Sequence, residues 1–274
     1  MNKQFVMALI ASGALVGLGG CSEGDEAIIN IEAPDNSVAG DQINGDVNNG
    51  SDPAPSPAPE PEPGAECPTG TTEISTGVCQ LPDVISSDLT LTSEFDYLMT
   101  GRVTVGNGNG ELGADGNLLD GTPVQNVTLT VDAGTQIKGR SGTFANMIIT
   151  RGSRIVAAGT ADAPIVFSSD DEGFDGAGEW GGLILHGYAP HNECAEGGTV
   201  CNIDSEGESG FAGGYDADDS SGVLQYVVVT EGGYEFAPGN EINGISLIGV
   251  GSGTTMEYIQ VEGNSDDGIE FYGG

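Results

Sequence analysis

Beyond Leu81 the chain alternates short apolar, often β-branched runs with clusters of Gly, Asn and Asp, and no stretch shows helical periodicity over a useful length. The pattern predicts strands at Leu89–Thr92, Gly101–Val105, Val127–Val131, Thr135–Lys138, Met147–Thr150 and Arg154–Ala157. It continues with Ile165–Ser168, Gly182–His186, Leu224–Thr230, Ile245–Ile248, Thr255–Val261 and Ile269–Tyr272. Successive segments are alike: Leu129 to Ile137 and Ile149 to Ile155 each place a glycine-bearing turn between two strands, and Ile245 to Ile259 repeats the shape. Short strands recurring at about 20 residues or more indicate a solenoid whose coils stack about 4.8 Å apart.

The amino terminus reads differently. Lys3 precedes an apolar run from Phe5 to Leu18, too short for a spanning helix and shaped like an export signal. Leu18-Gly19-Gly20-Cys21 resembles the lipobox of bacterial lipoproteins. That resemblance implies cleavage before Cys21, lipid on its sulfur and anchorage in a membrane, and Ser22 behind it implies sorting to the outer membrane. From 21 to 66 little is available to bury, and Pro53 to Pro63 alternates proline with small or acidic residues, so the segment is expected to be a disordered, partly polyproline II tether.

Charge then narrows the partners. Forty-two acidic residues stand against six basic ones, a formal net charge of −36, which makes nucleic acid an implausible partner and repels bare polyanionic glycans unless a divalent cation bridges them. With Cys21 set aside the remaining cysteines form two close pairs, Cys67 with Cys79 and Cys194 with Cys201, expected as disulfides in an oxidising compartment.

Arg151-Gly-Ser-Arg-Ile-Val-Ala-Ala-Gly-Thr160, followed by Pro164-Ile165, resembles a rung of the right-handed parallel β-helix surface lipoproteins of bacteria. Trp180-Gly-Gly-Leu-Ile-Leu-His-Gly187, Asn240-Glu-Ile-Asn-Gly-Ile245 and Asn264 to Gly274 carry the same likeness. It implies an all-β, single-stranded parallel β-helix of about eight coils or fewer over residues 83–274, behind a signal peptide (1–20), a lipid-anchored linker (21–66) and a disulfide cap (67–82), with a projecting loop at 188–221. The family carries over no catalytic residue. Because the last strand meets no cap, a longer parent protein is also expected.

Candidate chemistry lies in the turns. Asp170, Asp171 and Asp175, then Asp216, Asp218 and Asp219, then Asp266 and Asp267 offer oxygen ligands for Ca2+, or serve only as solvated charge. Trp180 is either a corner residue or a sugar-stacking platform, with corner packing favoured. His186 and His191 near Cys194 and Cys201 fit no zinc spacing, and the disulfide competes for the sulfurs. Arg151 and Arg154 flank a turn, where a structural role against nearby carboxylates is expected. The function read from these features is a surface module for binding or structure that contacts a glycan, a secreted enzyme or an outer-membrane receptor. The alternative is a Ca-assisted polysaccharide lyase or hydrolase, which needs a basic residue or a carboxylate pair in one groove.

Overall fold

The computed structural model describes residues 66–173, 176–238 and 240–274. The expected signal peptide, the lipidation site at Cys21 and nearly all of the linker, together with Asp175, lie outside the described residues.

Strands β1 (Thr72–Ser75) and β2 (Val78–Gln80) form an antiparallel hairpin tied by the Cys67–Cys79 disulfide, and from β2 onward the chain winds. After β3 (Val84–Ile85), one coil is made by β4 (Leu89–Leu91), β5 (Asp96–Met99) and β6 (Val103–Val105), and the next by β7 (Thr128–Val131), β8 (Gln136–Gly139) and β9 (Met147–Ile149). The third uses β10 (Arg154–Ala158), β11 (Ile165–Ser169) and β12 (Leu183–His186). The chain then leaves in the hairpin β13 (Ile203–Ser205) and β14 (Gly210–Ala212), returns in β15 (Gly222–Thr230), and makes the small hairpin β16 (Glu235–Ala237) and β17 (Asn240–Glu241). β18 (Ile245–Ile248) closes that coil, and β19 (Thr255–Glu262) with β20 (Ile269–Tyr272) forms another.

Parallel in-register pairing stacks these strands into three faces. The first runs β4, β7, β10 and the starts of β15 and β19; the second runs β2, β5, β8, β11 and the ends of β15 and β19; the third runs β3, β6, β9, β12, β18 and β20. The solenoid is thus a parallel β-helix, and its inward residues form continuous ladders. Leu91, Val131, Ala157, Leu224 and Met256 stack on the first face, and Val105, Ile149, Leu185 and Leu247 on the third. This shared core holds the fold through burial of apolar surface at about 25 cal/mol per Å².

Every strand expected from the pattern is present within two residues of its expected bounds. β15 and β19 turn the corner between first and second faces through a single residue in the left-handed region, Tyr226 (φ 48°) and Tyr258 (φ 56°). That conformation costs a bulky residue roughly 1 kcal/mol or more. Among the described residues no helix is long and apolar enough to cross a membrane.

Candidate binding site

The site arises where two long connections meet the third face. Its strands are buried on both sides: Met147–Ile149, Leu183–His186 and Ile245–Ile248 have no exposed position. The outward Ile148, Ile184 and Ile248 pack with Ala212 and Ile242 in a second hydrophobic cluster, so the segment 188–221, expected to project, folds back over the coil. Beneath it His186 Nε2 lies 3.2 Å from Ser205 Oγ and 3.3 Å from Ser209 Oγ. Ser205 donates to the Gly210 carbonyl at 2.5 Å. Burial first, and then the charge of Arg151, lower the His186 pKa from 6.5 to about 3, so the imidazole is neutral. Arg102 holds the same hairpin by donating to the carbonyls of Gly207 and Glu208, and to Asn146 Oδ1 at 3.2 Å.

Arg151 organises the rest. It occupies the turn after β9 and is fully buried. Nε donates to Gly108 O (2.8 Å), Nη1 to Cys201 O (2.9 Å) and Gly213 O (3.2 Å), Nη2 to Gly110 O (2.7 Å), and both Nη atoms reach Asn202 Oδ1 at 3.2 and 3.3 Å. A guanidinium has five N–H bonds, and five acceptors surround this one. None is a carboxylate, which corrects the expected partners. Desolvation lowers its pKa to about 10, so it stays charged at neutral pH. Gly108 is required here, because a Cβ at that position would sit 2.0 Å from the Arg151 carbonyl oxygen.

The clasp joins the connection 106–127 to the disulfide segment and leaves between them a cleft of about 300 Å³, lined by Leu112, Tyr188, Val200, Cys201, Tyr215 and Asp216 among others. The Tyr188 ring centroid lies 5.9 Å from the Arg151 guanidinium carbon. Burial raises the Tyr188 phenol pKa while Arg151 opposes the rise. Tyr215 is partly exposed and donates to Ala195 O at 2.5 Å. Such walls can stack against a ring and exchange hydrogen bonds with hydroxyl groups.

The other expected residues are distributed as follows. Cys194 and Cys201 form the second disulfide, and one wall of the cleft rests on it. His191 Nδ1 accepts the Glu193 N–H on the surface, while His186 is buried, so the two histidines and the two sulfurs do not gather as a zinc set. Trp180 is fully buried and donates to Thr230 O at 2.7 Å, the corner role rather than the stacking one. Asp170 accepts the Ser141 N–H at 2.6 Å and lies 3.9 Å from Arg140 Nε; Asp171 accepts from Glu172 N. Asp216, Asp218 and Asp219 share one turn, but Asp216 accepts the Asp218 N–H, Asp218 meets Ser252 Oγ, and Asp219 accepts the Tyr188 N–H at 2.8 Å. Asp266 and Asp267 precede β20, where the Asp267 carbonyl accepts from Asn264 and Gly244. No three His, Cys, Asp or Glu side chains converge as a metal site among the described residues.

Reading the residues alone overlooks Ser205, Ser209 and Leu112, and counts Arg102 only among the basic residues a lyase could use. The available signal was the unusual length of the 106–127 connection, which begins Gly106-Asn-Gly-Asn-Gly110.

Residues 83–274 match the family model of the pectate-lyase-like β-helix domain. The chain belongs to that family. No curated protein and no solved structure matches it. Within this family's solenoid, the cleft is built from departures of the chain out of the coil rather than from the repeating rungs.

Proposed function

We propose that this β-helix domain is a non-catalytic cell-surface module, held at the outer membrane by lipid on Cys21, that contacts a glycan in the cleft between residues 106–127 and 188–221. The observation supporting this reading is a preformed cleft with two tyrosines, a leucine and a disulfide on its walls, stiffened by a buried arginine whose donors are all in use. A lyase needs a base free to take a proton. Among the described residues Arg102 and Arg151 are engaged by carbonyls, Lys138 pairs with Asp96 at 2.9 Å, and Arg140 lies by Asp170; Arg154 is exposed and donates to Asn126 Oδ1 at 3.4 Å, but it does not line the cleft. The ligand class favoured is a neutral glycan, because the net charge of −36 opposes a polyanion.

One observation favours the hydrolase reading. Asp216 lines the cleft, and the neighbouring Asp219 has its pKa raised by burial, as a general acid requires. Asp219 does not line the cleft and is engaged by Tyr188 N–H. Titration of the full-length protein in detergent with neutral and uronate oligosaccharides, with an assay for new reducing ends, separates the readings. Binding without turnover, weakened about tenfold by Tyr215→Ala, supports the module. New reducing ends lost in Asp216→Asn would establish the hydrolase. Absence of palmitate label on the protein, or a label that survives Cys21→Ser, would overturn the anchor.

A further inference from the structure

The walls of the cleft between residues 106–127 and 188–221 offer acceptors rather than donors. Tyr215 spends its hydroxyl proton on Ala195 O at 2.5 Å, and a Cβ at Gly198 would sit 2.3 Å from that hydroxyl, so the glycine lets the disulfide loop close against the ring. Arg151, behind the wall, gives its N–H groups to Gly108, Gly110, Cys201, Gly213 and Asn202 and keeps none for a ligand. The hydroxyls of Thr199 and Tyr188 can accept as well as donate. The charged side chain on the wall is Asp216, which is exposed and accepts the Asp218 N–H at 3.1 Å. Among the described residues the ion pairs are Lys138 with Asp96 and Arg140 with Asp170, so no side-chain cation neutralises Asp216. Its field is felt next door, where burial raises the Asp219 pKa and the charge of Asp216 adds to the rise.

We propose that the glycan taken by the cleft carries a free amino group: an otherwise neutral chain with a protonated 2-amino-2-deoxy sugar, its ring against Tyr215 and its ammonium toward Asp216. The inference rests on the glycan reading of the cleft and narrows it. An ammonium brings three N–H donors and no acceptor, the complement of a wall with an unneutralised carboxylate and few donors. A charge-assisted N–H to carboxylate bond is about twice as strong as one between neutral groups, so the amine gains over a hydroxyl at the same place. The net charge of −36 that repels uronates attracts such a chain by the same law. Ligand pockets run upward from about 300 Å³. A cleft of about 300 Å³ therefore seats a single sugar ring rather than a run of them.

The test is calorimetric titration of the full-length protein in detergent with the β-1,4-linked hexaoses of glucose, N-acetylglucosamine and glucosamine. Wild type is expected to bind the glucosamine chain about tenfold tighter than the glucose chain, and acetylation of the amines should remove that advantage. Asp216→Asn keeps an oxygen for the Asp218 N–H and should abolish the advantage while leaving the glucose affinity in place. Asp162→Asn, at an exposed turn carboxylate outside the cleft, should preserve it. An unchanged melting temperature shows that each variant is folded, and the comparison of acetylated with free amines is made on wild type alone. Equal affinity for the three chains, or tightest binding of the acetylated one, overturns the amine while leaving the cleft. A preference that survives Asp216→Asn, or falls as far in Asp162→Asn, also overturns it, by assigning the attraction to the acidic surface at large. Binding of none of the three overturns the glycan reading of the cleft and the inference with it.

Discussion

The third face of the solenoid and the two others follow the same pairing rules but have opposite exteriors. Strands such as Leu89–Leu91 on the first face and Gln136–Gly139 on the second alternate buried with more exposed residues, the signature of a sheet with one side toward water. On the third face, Met147–Ile149, Leu183–His186 and Ile245–Ile248 are buried throughout, because the connection 188–221 and the segment around Ile242 lie on top. The rungs therefore make a scaffold, and individuality enters where the chain leaves the coil and returns to cover it.

The sharpest way to break this contrast is to remove the clasp. Arg151→Met takes the donors from four carbonyls, while Asn202 Oδ1 keeps the Leu112 N–H, and is expected to cost about 4 to 5 kcal/mol in urea unfolding, together with loss of oligosaccharide binding in the cleft. If binding survives, the clasp does not form the site. Next in size, Ile184→Asp buries an unpaired charge under the cover and should cost about 4 kcal/mol, whereas Thr90→Asp, on the exposed exterior of the first face, should stay within about 0.5 kcal/mol. Equal effects would mean that the cover does not pack as described.

His186 gives a smaller, pH-dependent effect. Its folded pKa of about 3 lies below its ordinary value of 6.5. Between these values the unfolded chain binds the extra proton, so stability is complete above about pH 6.5 and is lost as the pH falls. About 3 kcal/mol should disappear by about pH 4. Carboxylates titrate there too, so the measurement is the difference between wild type and His186→Gln, which should flatten by that amount. Smallest of all is calcium. With the carboxylates of Asp170, Asp171, Asp216, Asp218 and Asp219 each accepting from an N–H or hydroxyl, exchange of calcium for EDTA should move the melting temperature by less than about 1 °C. A rise of several degrees would support the calcium reading of Asp216, Asp218 and Asp219.

The difference between the faces also explains what could be read in advance. Continuous apolar runs such as Met147-Ile-Ile149 and Leu183-Ile-Leu185 announce strands, and alternation in Thr128-Leu-Thr-Val131 announces a half-exposed one. β2 and β3 escape notice because two or three residues beside Pro82 hold no period, and β5 because Asp96 opens a run that Glu94 had already made polar. The cleft was illegible for another reason. Arg151 reaches acceptors from 41 to 62 residues away, and most are main-chain carbonyls, which every residue possesses and no side chain announces. A structural role for this arginine could be anticipated from its turn, but the identity of its partners could not.

The clasp also imposes an order of assembly. Gly108 and Gly110 are made before Arg151, while Cys201, Asn202 and Gly213 come well after it. A chain emerging amino end first can stack its early coils rung by rung, since each needs only its predecessor. The guanidinium, however, stays short of acceptors until residue 213 has arrived. The scaffold is completed progressively, and the cleft closes in one late step.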